Sequence, residues 1–198
     1  MNRIIIITVS FLLTACVPLP AKHEALNQPM SWQARRAQLI GVKQWQLNGA
    51  LLIKTKEQGQ AIHLVWQQQW PRYRYQINLF GPLGLGHILL TSNVEGVDIY
   101  ENNKHYHSQN IEDLMRQSLG WHLPISNLYF WIRGVPAPHL KNNITFDVYH
   151  HIVYLQQQGW HIAYQQYTTA DGIDLPCIII LRRNKLNIKF IINQWKFK

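Results

Sequence analysis

Arg72-Tyr73-Arg74-Tyr75-Gln76-Ile77-Asn78-Leu79 alternates without a break: Tyr73, Tyr75, Ile77 and Leu79 share one parity, Arg72, Arg74, Gln76 and Asn78 the other. Successive side chains of a strand point to opposite faces, so this octapeptide predicts a strand with one apolar and one polar face. The same period of two recurs over 45–55, 60–69, 86–91, 96–101, 104–107, 144–156, 159–167, 175–182 and 186–195. Links as short as Gln158-Gly159 favour antiparallel neighbours. This many strands with one apolar face curl into a barrel or sandwich around a shared interior.

Two stretches depart from that period. Ser31 can cap a helix running to about Val42, with Trp32, Leu39 and Ile40 on its buried side and Arg35 and Arg36 interrupting the stripe. Between the two strand groups, Asn110 can cap a helix carrying Ile111, Leu114, Met115 and Leu119 and ending at Gly120. A shorter helix follows Pro124, with Leu128, Trp131 and Ile132 at helical spacing, stopped by Gly134 and Pro136. Two helices over one end of a curved sheet would form a lid. Trp45, Trp66, Tyr73, Tyr75, Trp160 and Tyr164 project from the sheet, and large rings either fill a barrel or line a ligand cavity. The residues alone favour a filled core.

The N-terminus reads as a signal peptide over residues 1–15. Asn2 and Arg3 precede the apolar run Ile4 to Leu13, and Leu13-Thr14-Ala15-Cys16 forms the cleavage site. The run is too short to span a bilayer, and a signal ending in Cys is similar to a bacterial lipobox, in which Cys16 becomes acylated. Several acyl chains at about 0.8 kcal/mol per buried methylene would anchor the chain almost irreversibly. Residues 16–30 carry three prolines and no periodicity, as a flexible tether does, and leave one globular domain over 31–198. Val17 rather than Asp follows Cys16, a pattern that resembles outer-membrane sorting.

Nineteen Lys plus Arg against ten Asp plus Glu give a net charge of +9. Export argues against nucleic acid as a partner and leaves anionic head groups, an acidic protein or simply a solvated basic surface. There is no phosphate-cradling Gly-rich motif with Lys and Ser/Thr, no Gly-x-Ser-x-Gly elbow and no His-Glu-x-x-His pair, so no catalytic residue and no cofactor are expected. His105-x-His107 could place two imidazoles on one strand face, but no further ligands complete a metal set, and His150-His151 on a strand would face opposite ways. Cys177 reads as a buried core residue. In Gly81-Pro82-Leu83-Gly84-Leu85-Gly86, Pro82 suits the first central turn position and Leu83 sits at the tip. Leu83 there either folds back onto Phe80 or Leu85 or enters a membrane or partner.

Gly120-Trp121-His122-Leu123-Pro124-Ile125-Ser126-Asn127-Leu128-Tyr129-Phe130-Trp131-Ile132-Arg133-Gly134-Val135-Pro136-Ala137-Pro138 resembles the hallmark of the LolB family of outer-membrane lipoprotein receptors. The lipobox at Cys16, Asn48-Gly49, Pro82-Leu83-Gly84, Leu175-Pro176 and the run Leu186 to Trp195 agree in order, covering nearly the whole mature chain. The resemblance implies a half-open antiparallel β-barrel of about eleven strands with a helical lid, similar to the periplasmic carrier LolA, and a hydrophobic cavity for acyl chains. It implies Pro82, Leu83 and Gly84 as a membrane-inserting loop. The acyl cavity and lid would draw on Trp45, Trp66, Tyr73, Tyr75, Trp121, Leu123, Leu128 and Trp131. Expected partners are LolA, cargo lipoproteins and outer-membrane phospholipids, the chain acting as a monomer without ATP. The alternative is an outer-membrane lipoprotein scaffold that binds protein or glycan and has a filled core.

Overall fold

The computed structural model describes residues 24–55, 59–72, 74–82, 86–114 and 123–198. Helix α1 (Trp32–Gly41) precedes strands β1 (Trp45–Lys54), β2 (Gly59–Gln68), β3 (Tyr75–Phe80), β4 (His87–Ser92), β5 (Val97–Glu101) and β6 (Lys104–Ser108). A helical turn over 111–114 and helix α2 (Ile125–Trp131) lead to β7 (Asn142–Phe146), β8 (Ile152–Gln157), β9 (Trp160–Ala170), β10 (Ile173–Arg183) and β11 (Leu186–Phe197). The eleven strands form one antiparallel sheet in the order β6-β5-β4-β3-β2-β1-β11-β10-β9-β8-β7, with β6 and β7 as unpaired edges, so the barrel is half-open.

Alternation closes this sheet round a core. Leu47, Leu51 and Ile53 of β1 face the same interior as Leu64, Ile77, Leu90 and Ile99 on one side and Ile188, Phe190, Ile179 and Ile162 on the other, each at most 5% exposed. The turns use residues that tolerate positive φ: Asn102 and Asn103, Gln158 and Gly159, Asp171 and Gly172.

Three sequence expectations are corrected. The single strand expected over 144–156 is two, β7 and β8, because Asp147 Oδ1 accepts from Tyr149 N and His151 N at 2.9 and 2.8 Å and turns the chain there. His150 and His151 therefore lie in a turn, His150 at φ 59° and His151 1% exposed. Strand β3 begins at Tyr75 rather than Arg72, since Gln69 N donates to Arg74 O at 2.8 Å and Arg74 N to Pro71 O at 2.9 Å in the preceding turn. Cys177 is half-buried, at a register shift in β10 between Pro176 and Ile178.

Helix α1 begins as expected, with Ser31 Oγ accepting from Ala34 N, but Arg35 takes the buried position (2% exposed) and Ile40 the exposed one. A polar network buried beneath the helix explains the exchange. Arg35 Nη1 lies 3.5 Å from Asp174 Oδ2, and Arg35 also donates to the carbonyls of Gln28 and Tyr149. His151 bridges Asp147 Oδ2 at 2.9 Å and Asp174 Oδ2 at 3.0 Å. Burial alone would raise the Asp174 carboxyl, but hydrogen bonds from Thr169 and His151 and the charges of His151 and Arg35 hold it below its ordinary value.

The two halves of the sheet meet at β1 and β11. Their register slips between Asn48 and Gly49, and a Cβ on Gly49 would lie 2.2 Å from the backbone oxygen of Ile191. Gly49→Ala should therefore lower stability by about 1–3 kcal/mol, the usual overpacking range, read as a fall in Tm. Because the folded Asp174 pKa is depressed, its stabilisation is present above the unfolded value near 4 and lost as pH falls through the folded value. Thermal melts should show Tm dropping below about pH 4, less steeply in Asp174→Asn.

Candidate functional site

Helix α2 lies over the mouth of the concave face. Pro124 starts it, its carbonyl accepting from Asn127 N and Leu128 N. The helix ends where Gly134, at φ 75°, lets Val135 N return to Phe130 O at 3.2 Å, and a Cβ on Gly134 would meet Pro176 and Tyr167 at 3.2 Å. Its apolar side inserts Ile125, Leu128 and Trp131 into the core.

The buried polar contacts of this element gather at its C-terminal end. Arg133, 1% exposed, donates to Tyr129 O at 3.1 Å and to Leu39 O and Val42 O at 2.8 and 2.7 Å, with its guanidinium 4.1 Å from the Tyr129 ring centre. Trp131 Nε1 donates to Gln157 Oε1 at 2.7 Å, and Tyr164 Oη donates to Trp131 O at 2.8 Å. Gln157 also exchanges two 2.9 Å bonds with the Ala137 backbone. At the N-terminal end, Ser126 and Asn127 bond to Glu112 and Gln158 at exposed positions.

Beneath α2 is a wholly apolar chamber lined by Leu51, Leu64, Trp66, Ile77, Leu79, Leu90, Leu123, Ile125, Leu128 and Phe190. Its free volume is about 30 Å³. Three of its walls, Leu123, Ile125 and Leu128, belong to the covering segment, which takes up the room a guest would need. At the mouth a second pocket, of about 330 Å³, is lined by Trp66, Gln68, Arg72, Tyr75, Glu112, Ser126 and Tyr129 among others.

Of the residues expected from sequence, Trp66, Leu123 and Leu128 line the chamber. Trp45 packs behind it, its ring 5.1 Å from Trp66, 5.3 Å from Trp195 and 6.3 Å from Tyr129. Tyr75 sits at the mouth, where burial pushes its phenol well above its ordinary pKa. Trp131 turns away towards Trp160 and Gln157 and anchors the helix. Pro82 is exposed at the end of the β3–β4 hairpin, while Cys16, Tyr73, Leu83, Gly84 and Trp121 lie outside the described residues. Sequence reading passed over Leu51, Ile77, Leu79 and Phe190 as lining residues, although their strand parity marked them, and it gave no role to Gln68 or Arg133.

The His-x-His pair is occupied by a carboxylate. His105 Nε2 and His107 Nδ1 both contact Asp98 Oδ1, at 2.7 and 2.9 Å, and the His105 bond leads in holding the Asp98 pKa down. Among the described residues no group of His, Cys, Asp or Glu is arranged to hold a metal ion.

The described acids divide along the strands, while exposed cations stand at both ends. Register places the β3–β4 hairpin end, Phe80 and His87, at the same end as Lys54, Lys104 and Arg182. There Lys54, Lys104, Lys141, Arg182, Arg183 and Lys185 are exposed, with Glu101 the one described acid. The other described acids, Glu24, Glu95, Asp98, Glu112, Asp113, Asp147, Asp171 and Asp174, lie towards the opposite end.

Known proteins share this fold. The fold is similar to a LolA superfamily protein from Nitrosomonas europaea (TM-score 0.52, 8% identity, 85% of this chain and 94% of that one). It is also similar to a DUF1329 family protein from Desulfovibrio piger (TM-score 0.56, 6% identity, 84% and 90%). The sequence is 33% identical over 190 residues to the outer-membrane lipoprotein LolB of Coxiella burnetii, covering 94% of this chain and 89% of that protein. It is 33% identical over 198 residues to LolB of Pseudomonas fluorescens, covering 98% and 96%. Residues 43–195 match the family model for the outer membrane lipoprotein LolB. With this sequence match, the unclosed eleven-stranded sheet and the apolar chamber beneath α2, the chain belongs to the LolB family of outer-membrane lipoproteins and serves lipoprotein localisation.

Proposed function

We propose that this protein takes lipoproteins from the periplasmic carrier LolA, holds their acyl chains inside the barrel, and inserts them into the outer membrane without ATP. It works as a monomer on the periplasmic face, held by lipid on Cys16 at the end of the tether 16–30. The observation that carries the reading is the wholly apolar chamber closed by a helix whose buried side-chain bonds, among the described residues, lie at its C-terminal end. Arg133, Gln157 and Tyr164 act as the hinge side, and the segment carrying Leu123, Ile125 and Leu128 swings away to admit a guest.

Direction follows from relative affinity. A 16-carbon acyl chain left in water loses on the order of 12 kcal/mol of hydrophobic stabilisation, so cargo passes from one apolar container to the next. Transfer proceeds if this chamber binds acyl chains more tightly than the carrier does and the bilayer binds them more tightly still, each 1.4 kcal/mol adding about tenfold. Delivery uses Leu83 with Pro82 and Gly84; the described Pro82 lies at the end of the sheet where exposed Lys and Arg outnumber acids. Basic residues near an anionic surface contribute about 1 kcal/mol each.

Three outcomes are expected. A labelled lipoprotein on LolA moves to the purified protein and then to liposomes, and Leu83→Glu accepts cargo but fails to deliver it; a wild type that accepts nothing overturns the receptor reading. Leu128→Ala widens the chamber, costs about 2–4 kcal/mol in denaturant unfolding, and increases uptake of a small apolar dye; lost stability without dye uptake would favour a filled-core scaffold. Lys104→Glu with Arg182→Glu weakens binding to anionic vesicles at low salt by tenfold or more, with no effect on cargo acceptance.

A further inference from the structure

We infer that Thr169 and Asp174, with Arg35 of α1, form a cradle for the main chain of a lipoprotein tether, occupied here by the chain's own residues 24–30 and ceded to the tether of a bound cargo. The cargo half of this inference rests on the reading of the protein as a lipoprotein receptor. Residues 24–30 lie across the sheet as a strap held by its backbone. Leu26 N donates to Thr169 Oγ1 at 2.8 Å and to Asp174 Oδ1 at 3.2 Å, and Gln28 O accepts from Arg35 Nη2 at 2.9 Å. Between these points Asn27, at φ 52°, bends the strap, a conformation that Asn and Gly enter most readily. The side chains stay outside: Leu26 is 58% exposed, and Glu24, Asn27, Gln28 and Pro29 are exposed as well. A site that grips N–H and C=O and leaves the side chains in water reads chain shape rather than sequence. That suits a receptor whose cargoes differ in sequence.

The cradle is built from contacts that do not need the strap. Asp174 has its other oxygen against His151 Nε2 at 3.0 Å and Arg35 Nη1 at 3.5 Å, and Thr169 Oγ1 donates to Oδ1. Arg35 is held further by Tyr149 O, at 3.2 and 3.0 Å from Nε and Nη2. Donor and acceptors therefore keep their places when the strap leaves, and little ordering cost falls on an incoming chain. There is also room beside the strap. The β10–β11 ladder stops at Ile178 and Ile191, although the strands continue to Ile173 and Phe197. A cavity of about 620 Å³ lies there, lined by Glu24, Ala25 and Asn27 of the strap and by Gln166, Ile178 and Ile191 of the sheet. Register sets Thr169 and Asp174 towards the same end of the sheet as Gln68 and Tyr75 of the mouth pocket. A cargo whose acyl chains enter at the mouth leaves its tether at that end. The strap competes for the cradle at an effective concentration on the order of millimolar. It therefore excludes free peptides and yields to a cargo already held by its acyl chains.

The test uses a fluorescent peptide with the sequence of residues 24–30, a copy methylated on the leucine nitrogen, and the full chain as wild type and as Leu26→Pro. That substitution removes the strap's N–H and leaves the cradle untouched. Leu26→Pro should bind the peptide at least tenfold more tightly than wild type does, and methylation should weaken that binding about tenfold. In transfer from LolA, Leu26→Pro should take up labelled lipoprotein severalfold faster than wild type, and excess peptide should remove the gain. Absent peptide binding, equal affinity of the two proteins, or equal affinity of the two peptides overturns the cradle. Peptide binding as expected with identical cargo uptake by both proteins overturns the cargo's use of it. Cargo uptake by neither protein overturns the receptor reading, while the peptide titration still decides the cradle, so the two failures are distinguishable.

Discussion

An unclosed sheet with one apolar face has to keep that face covered, and this constraint organises the molecule. Here the covering is the segment from Leu123 through α2, packed into the concave surface. On the proposed function an acyl chain occupies the same surface, which makes helix and guest alternatives. Burying three large aliphatic side chains stabilises closure by roughly 5–9 kcal/mol at about 1.5–3 kcal/mol each. A long acyl chain contributes on the order of 12 kcal/mol. The two figures are of similar size, so on the proposed function the covering segment and a guest compete for one surface.

The division of labour along the strands follows from the same geometry. Buried bonds of Arg133, Gln157 and Tyr164 fix one end of the cover, and the Arg35–Asp174–His151 network fixes α1 against the sheet. The hairpin end carries exposed cations with Glu101 as its one described acid. Groups that must stay put are thus buried and paired, while those suited to meeting another surface are solvated and of one sign.

The alternation around Tyr75, Ile77 and Leu79 was enough to predict a curved antiparallel sheet, and Ser31 and Pro124 marked their helices correctly. What sequence could not supply were contacts across long separations. Arg35 is buried and Ile40 is not because Asp174, far along the chain, waits beneath the helix. Asp147 turns the chain with its side chain, a choice that period-two patterning cannot register. The chamber walls bring Leu51 beside Phe190 only through the β1–β11 register, so parity marked these residues as inward without marking them as neighbours. Gln68 had no sequence signal, since its role depends on which carbonyls the following turn offers.

Strands β1 to β6 pair only with sequence neighbours, as do β7 to β11, and a single joint pairs Trp45 with Phe197. A chain that emerges N-terminus first therefore releases one partner of this joint early and the other last. Until then it consists of two open meanders, each held by local hairpins, with no common interior. Pairings of such sequence separation form slowly because the loop entropy precedes the contact. The interior common to both meanders is thus complete only when the strand Leu186–Phe197 pairs with β1.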